Sequence, residues 1–305
     1  MSAGKTVLIY NPRAGKFVRG KATSLDLIVS ALRNQGHDVT IAPTTGPSTA
    51  GAIARRHVED GAGLIIAAGG DGTINEVAEG MVGSRTPLAI LPGGTANVLA
   101  TELKLGRDMI SAAARLNQFR PKRITVGHVT CDGGAVSRHF LLMCGVGLDA
   151  HIVYHVHGPL KAAAGKLAYW VAGGSLVGKA LPQIQAETDG RTYQCSFALL
   201  SKVRNYGGDF EIASQATLFD DCFEAILFQG KTSTRYIQYL LAVALRRLGR
   251  TRGVEVLKTR CMRLTGAEGT RVYVQIDGEY AGSLPAEIRV VPDALTLMLP
   301  ETYGV

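Results

Sequence analysis

Gly69, Gly70, Asp71, Gly72 and Thr73 form the stretch of this chain best suited to handling phosphate. Residues 63–66 read as a short buried strand and residues 74–81 as a helix, so the glycines fall between a strand end and a helix start. Backbone N–H groups and the helix dipole attract anions at that place. A carboxylate there repels bare phosphate but accepts a metal bound to it, so the combination points to a metal–nucleotide site. Glycine-rich turns also occur in α/β chains simply where positive φ is needed. The three glycines around Asp71, with Thr73 entering the helix, favour the chemical reading.

A pair of acids lies late in the chain. Residues 272–279 alternate, and if that strand continues, Asp277 and Glu279 share one face, about 6.5 Å apart. Two such carboxylates can take a proton from a hydroxyl. Asp277-Gly278 is equally a hairpin signal, and both readings hold together if Glu279 leaves the turn. Asp220 and Asp221 precede an apolar strand over residues 223–228. They are either solvated turn acids or part of a metal site completed by backbone carbonyls, since hard cations accept both kinds of oxygen.

The elements that must carry these groups fall into two halves. Residues 5–122 alternate strand and helix patterns: strands near 7–10, 38–42, 64–67 and 88–91, helices near 24–33, 48–60, 74–82 and 96–103. That rhythm predicts a parallel sheet covered on both faces, with ligands beyond the carboxyl ends of its strands. Three strand ends then carry loop chemistry: residues 11–16, 69–73 and 92–97. Beyond residue 123, short alternating runs predict a β-rich domain, interrupted by helix-like stretches at 160–177 and 234–248. The expected division is residues 1–125 and 126–305, the last residues packing back on the first domain. Residues 173–180 nearly match a P-loop but end in Ala180 and follow a helix-like run. Gly145-x-Gly147 reads as a tight strand exit, with Asp149 a carboxylate placed just after it.

The 305 residues suffice for two domains, and 46% hydrophobic against 19% charged content excludes a disordered chain. A net charge of +8 attracts polyanions without choosing among them. No aromatic-studded basic motif supports nucleic-acid binding. Five cysteines, none in a C-x-x-C pair, suit a reducing cytosol and read as small buried hydrophobes. The first apolar run is too short for a signal peptide, and no run of about 18 apolar residues predicts a span. The expected location is cytoplasmic, peripheral at the inner membrane surface. Tyr236, Leu240, Leu241, Val243, Leu245 and Leu248, followed by Arg246, Arg247, Arg250 and Arg252, read either as a core-packed helix with a solvated basic end or as a membrane-surface helix. Edge strands of the β-rich half offer a homodimer surface.

Taken in order, Asn-Pro-x-Ala-Gly-Lys at 11–16, Gly-Gly-Asp-Gly-Thr at 69–73, Pro-x-Gly-Thr-x-Asn at 92–97, Gly-x-Gly-x-Asp-Ala at 145–150 and Asp-Gly-Glu at 277–279 resemble the diacylglycerol kinase catalytic-domain family. That family includes soluble bacterial lipid kinases and sphingosine kinases, and the resemblance spans residues 11–300. It implies a three-layer α/β nucleotide-binding domain like that of phosphofructokinase and NAD kinase, then a β-sandwich-like domain, with the active site in the cleft between. It further implies transfer of the γ-phosphate of ATP, with Mg2+, to a lipid hydroxyl, most simply diacylglycerol-like. By that likeness Asn11, Pro12, Arg13, Ala14, Gly15, Lys16, Thr45 and Thr95 meet ATP. Gly69, Gly70, Asp71, Gly72, Thr73, Ile74, Asn75 and Glu76 cradle phosphates and magnesium. Glu279 resembles the proton acceptor, supported by Asp277. A structural magnesium would take Asp221 and the carbonyls of Leu218 and Phe223, tied to the cleft by Asp149. Residues 161–169 resemble a segment near the lipid entrance. Two positions depart from the family pattern: Val98 stands where many members have Asp, and Cys222 where a Gly follows the metal-site Asp. The alternatives are an NAD-kinase-like or other non-lipid kinase, and a non-catalytic lipid- or nucleotide-binding protein.

Overall fold

The computed structural model describes residues 5–15, 23–147, 150, 181–206, 210–230, 234–244 and 247–304. Lys16, Asp149, Leu245, Arg246 and residues 151–180 lie outside the described residues, and with them the expected lipid-entrance segment, the first helix-like stretch of the β-rich half and the P-loop-like run. The chain divides into two units, Met1–Thr125 with Pro292–Val305, and Val126–Val291.

In the first unit, β1 (Thr6–Tyr10), β2 (Val39–Pro43), β3 (Leu64–Gly69) and β4 (Leu88–Pro92) are parallel and stand in the order β2-β1-β3-β4. β3 and β4 are buried along their whole length, as their unbroken apolar runs require of strands covered on both faces. The end of β18 (Ala286–Pro300) adds a parallel neighbour to β4 at Leu297. The helices are α1 (Thr23–Arg33), α2 (Ala50–Glu59), α3 (Asp71–Met81), α4 (Val98–Glu102) and α5 (Met109–Ala114). α2 packs on α3, and α1 on α5. Right-handed crossovers place the two pairs on opposite faces, because the chain leaves β1 toward one edge and β3 toward the other. The point of reversal is therefore the gap between the carboxyl ends of β1 and β3. α3 begins at Asp71, so Asp71, Gly72 and Thr73 form its first turn rather than a loop before it.

The second unit has two antiparallel layers. One joins β8 (Ile184–Thr188), β9 (Arg191–Cys195), β15 (Cys261–Gly266) and the start of β18, with β6 (Val136–Phe140) paired to β5 (Phe119–Cys131) and β5 to β18. The other runs β14 (Val254–Thr259), β13 (Phe223–Phe228), β10 (Phe197–Ser201), β7 (Met143–Gly147), β16 (Tyr273–Ile276), β17 (Glu279–Ser283). β11 (Asn205–Tyr206) and β12 (Phe210–Glu211) form a separate short pair, and α6 covers Thr234–Ala244. Val129, Phe140, Ile184 and Met262 share one core with Val146, Leu200, Phe223 and Val274, and Phe140 stacks on Phe223 at 5.7 Å. Cys131, Cys144 and Cys195 are buried here as expected, whereas Cys261 is exposed. Burial pushes the Cys195 thiol up to about 12. Gly147 leaves β7 at φ 101, where a Cβ would meet the Ser196 carbonyl at 2.5 Å, as a tight strand exit demands.

Candidate active site

The loop after β1 and the start of α3 meet at the reversal point. The Asn11 amide N–H bonds the Ala68 carbonyl at 3.1 Å, and Asn11 Nδ2 donates to Thr73 Oγ1 at 3.4 Å. Asn11 Oδ1 accepts from Arg13 N at 2.9 Å, folding residues 11–14 into a turn with Pro12, Arg13 and Gly15 exposed and Ala14 buried. The glycines explain themselves by close approach. A Cβ on Gly94 would lie 2.6 Å from Gly70 Cα, one on Gly93 3.1 Å from Gly69 Cα, and one on Gly69 2.7 Å from Thr73 Cβ. Gly93 N also donates to the Gly69 carbonyl at 2.7 Å. Two strand-end turns thus lie backbone on backbone, and none of these four glycines takes a positive φ. Close approach of the two backbones, not positive φ, distinguishes these turns.

Asp71 Oδ1 accepts the Val98 amide at 2.8 Å, so this carboxylate ties α3 to the start of α4. Burial pushes the Asp71 carboxyl above its usual range, opposed by the neighbouring amides, Val98 foremost. Asn97 closes its loop by a reciprocal pair with Gly94, Gly94 N to Oδ1 and Nδ2 to Gly94 O, each 2.8 Å, leaving Thr95 and Ala96 exposed at the tip. Thr45 is exposed after β2, its amide on Thr49 Oγ1 at 3.3 Å. Glu76 points elsewhere: its carboxylate accepts the amides of Ser48 at 2.9 Å and Ala50 at 3.0 Å and caps α2. It acts as a brace between α2 and α3 rather than a phosphate ligand.

In the second unit the strand does not continue past Ile276. Asp277 at φ 50 and Gly278 at φ 81 make a two-residue hairpin turn, and Ile276 pairs with Glu279. The shared-face reading of Asp277 and Glu279 therefore fails. Asp277 instead accepts three successive amides, Leu141 N at 2.8 Å and Leu142 N and Met143 N at 2.9 Å. An ionised carboxylate only accepts hydrogen bonds, so Asp277 is an anchor for the turn. Glu279 leaves the turn half-buried, with Arg138 of β6 at 3.4 Å. Arg138 escaped the sequence reading, where nothing in Val-Ser-Arg-His-Phe marks it.

Between β12 and β13 the acids behave differently again. Asp220 Oδ2 accepts the Thr217 amide at 3.0 Å, Leu218 is buried, Asp221 is exposed, and Phe223 opens β13 opposite Thr259. The side chain of Lys202 is fully buried here. Its ammonium donates to the carbonyl oxygens of Asp220 and, at 3.1 Å, Cys222. Burial brings Lys202 down to about 8, with Asp220, Cys222 and Asp221 opposing.

Family models match both halves: the diacylglycerol kinase catalytic domain over residues 5–129, and the YegS C-terminal NAD kinase beta sandwich-like domain over residues 143–299. The chain belongs to the diacylglycerol kinase catalytic-domain family. It is therefore an enzyme, a kinase whose acceptor is an alcohol group. A diacylglycerol kinase of Bacillus subtilis is 29% identical over 286 residues, covering 92% of this chain and 91% of its own. One from Staphylococcus saprophyticus is 27% identical over 302 residues, 96% of this chain and 94% of its own. A crystal structure of a diacylglycerol kinase from Bacillus anthracis superimposes with TM-score 0.78 at 23% identity, covering 98% of each chain, which establishes the shared fold.

Against the family pattern, Asp71 fits a nucleotide-bound magnesium, since Mg2+ is commonly held by one or two carboxylates and the substrate's own phosphates. Val98 contributes its main-chain N–H to Asp71 in place of any side-chain carboxylate. At the expected structural magnesium the Lys202 ammonium takes the carbonyls of Asp220 and Cys222, the two residues that flank Asp221, rather than the expected Leu218 and Phe223 carbonyls, and it sets a positive charge inside the loop where a cation would sit. The expected apolar stripe of α6 is also redrawn. Among its described side chains Tyr239 and Ala242 are buried, Tyr239 bonding the Gly253 carbonyl at 3.0 Å, while Leu241 is 59% exposed. Leu248 is buried in a following 3-10 turn, and the side chains of Tyr236 and Leu240 lie outside the described ones. No helix among the described residues is long and apolar enough to cross a membrane.

Proposed function

We propose that this chain transfers the γ-phosphate of ATP to the hydroxyl of a diacylglycerol-like lipid, the first unit serving the nucleotide and the second the acceptor. The observation that carries the reading is the meeting of Asn11, Thr73 and the paired glycine turns at the reversal point between β1 and β3, the place where open α/β sheets take nucleotides. The lipid acceptor rests on the names of the relatives.

In this proposal Gly69, Gly70, Gly93 and Gly94 let phosphate approach the main chain, and the N-terminus of α3 faces its charge. Asn11, Pro12, Arg13, Ala14, Gly15 and Lys16, with Thr45 and Thr95, border the nucleotide. Asp71 holds magnesium, which when bound screens the phosphate charge that otherwise repels an incoming oxygen. The β–γ bridging P–O bond breaks, the lipid oxygen bonds to the γ-phosphorus, and the hydroxyl proton passes to the Glu279 carboxylate. Arg138 holds that carboxylate in place, and Asp277 holds the turn that carries it. Exposed Leu241, with Arg235, Arg247 and Arg250 exposed nearby in sequence, supports a peripheral seat on an anionic membrane from the cytoplasmic side.

The test is transfer from γ-labelled ATP with magnesium to diacylglycerol in mixed micelles, beside NAD and glycerol as rival acceptors. Label in diacylglycerol supports the proposal. Label in NAD alone would move the chain to the NAD-kinase chemistry its second domain resembles.

A further inference from the structure

The loop between β12 and β13 holds a cation of its own. Lys202 follows β10 directly and is the one buried lysine among the described residues. A buried ammonium is costly unless its three N–H donors find acceptors. Two main-chain carbonyls, of Asp220 and Cys222, meet it, and the acidic side chains of Asp220 and Asp221 lie in the same short turn. Main-chain carbonyls beside carboxylates are the donors a hard divalent cation takes. Here the two carbonyls that flank Asp221 meet a positive charge that the chain itself supplies. Cys222 also needs no positive φ, the conformation a glycine would have allowed at that position.

The lysine is joined to the acid turn. Lys202 N donates to the Leu142 carbonyl at 2.8 Å, and the amides of Leu141, Leu142 and Met143 are those that Asp277 accepts. An unbroken set of hydrogen bonds therefore runs from the 217–223 loop through Lys202 to the turn that presents Glu279.

We infer that the Lys202 ammonium replaces a structural divalent cation in this chain, so that the loop at 217–223 and the turn it supports are held without metal. Lys202 is in this account a positioning residue. The inference concerns the second unit alone and stands whether or not the acceptor is a lipid.

Thermal unfolding of the Asp71→Asn protein tests it, because that background removes the nucleotide-side carboxylate from the readout. The expected result is one Tm in EDTA and in MgCl2. A Tm that falls in EDTA and recovers with MgCl2 would overturn the inference. Lys202→Met, which keeps the length and removes the charge, is expected to lower Tm by about 5 °C or more. MgCl2 should then recover part of the loss in this variant alone, a response that a merely space-filling lysine would not produce. An unchanged Tm in Lys202→Met, or a lowered Tm indifferent to MgCl2, would also overturn it. If Lys202→Met fails to fold, the EDTA comparison on the protein with Lys202 intact still decides.

Discussion

The two units place their acids by opposite means. In the first, Asp71 is set by the absence of side chains: Gly69 and Gly70 lie against Gly93 and Gly94 with nothing between the backbones. In the second, Glu279 is set by charge. Asp277 gathers three amides, Arg138 faces Glu279, and Lys202 binds the neighbouring loop's carbonyls. A site built by steric clearance should fail when atoms are added and tolerate a change of charge. A site built by charge should fail when charge is removed and shape is kept.

Gly94→Ala is the hardest blow to the first arrangement. Its Cβ would meet Gly70 Cα, a backbone atom, at 2.6 Å and Asn97 Oδ1, a side-chain oxygen held by the Gly94 amide, at 3.0 Å. The expected cost is about 3 kcal/mol of stability, with loss of ATP binding. Denaturant unfolding and nucleotide titration measure the two, and a variant that binds ATP normally would show that the turns can part freely.

Asp277→Asn is the matching test of the second unit. The amide keeps one acceptor and sets its NH2 against main-chain N–H donors. The expected loss is about 2 kcal/mol with turnover reduced and ATP binding kept. Wild-type stability would contradict the anchor role.

Asp71→Asn has the smallest expected effect on stability, and of opposite sign. The Asp71 pKa is raised by burial, so from the ordinary carboxylate range up to the raised value the native state holds its proton more firmly than the unfolded chain. Stability therefore falls as pH rises through that window. Asparagine still accepts the Val98 amide and removes the slope, so at neutral pH the variant should be at least as stable as wild type while transferring little phosphate. A clear drop in Tm would mean that the charge itself holds α3 to α4.

Much of the first unit is legible in the sequence because parallel strands covered on both faces read as unbroken apolar runs, and the turns at their ends carry their glycines openly. That Gly69 and Gly70 meet Gly93 and Gly94 is not legible, since backbone approach between segments over 20 residues apart leaves no local mark. α3 starts earlier than the apolar pattern suggests because Asp71, Gly72 and Thr73 are polar or small yet form its first turn. β18 is harder: proline is a weak strand residue, yet the strand runs through Pro292 and Asp293, with Asp293 at φ 50 and bonded to Arg123 at 2.7 Å. Lys202 and Arg138 were invisible for a related reason. Arg138 stands inside β6 and Lys202 just past β10, neither in a marked motif, and the partners of each come from elsewhere in the fold.

The division of labour between the units is tested most directly at Glu279. Turnover and ATP affinity would be measured side by side for wild type and Glu279→Gln. The account predicts a fall in kcat of about 10²–10⁴-fold with the ATP Kd unchanged, since only the proton acceptor is lost. Wild-type kcat in that variant, or a kcat loss matched by lost ATP binding, would contradict it.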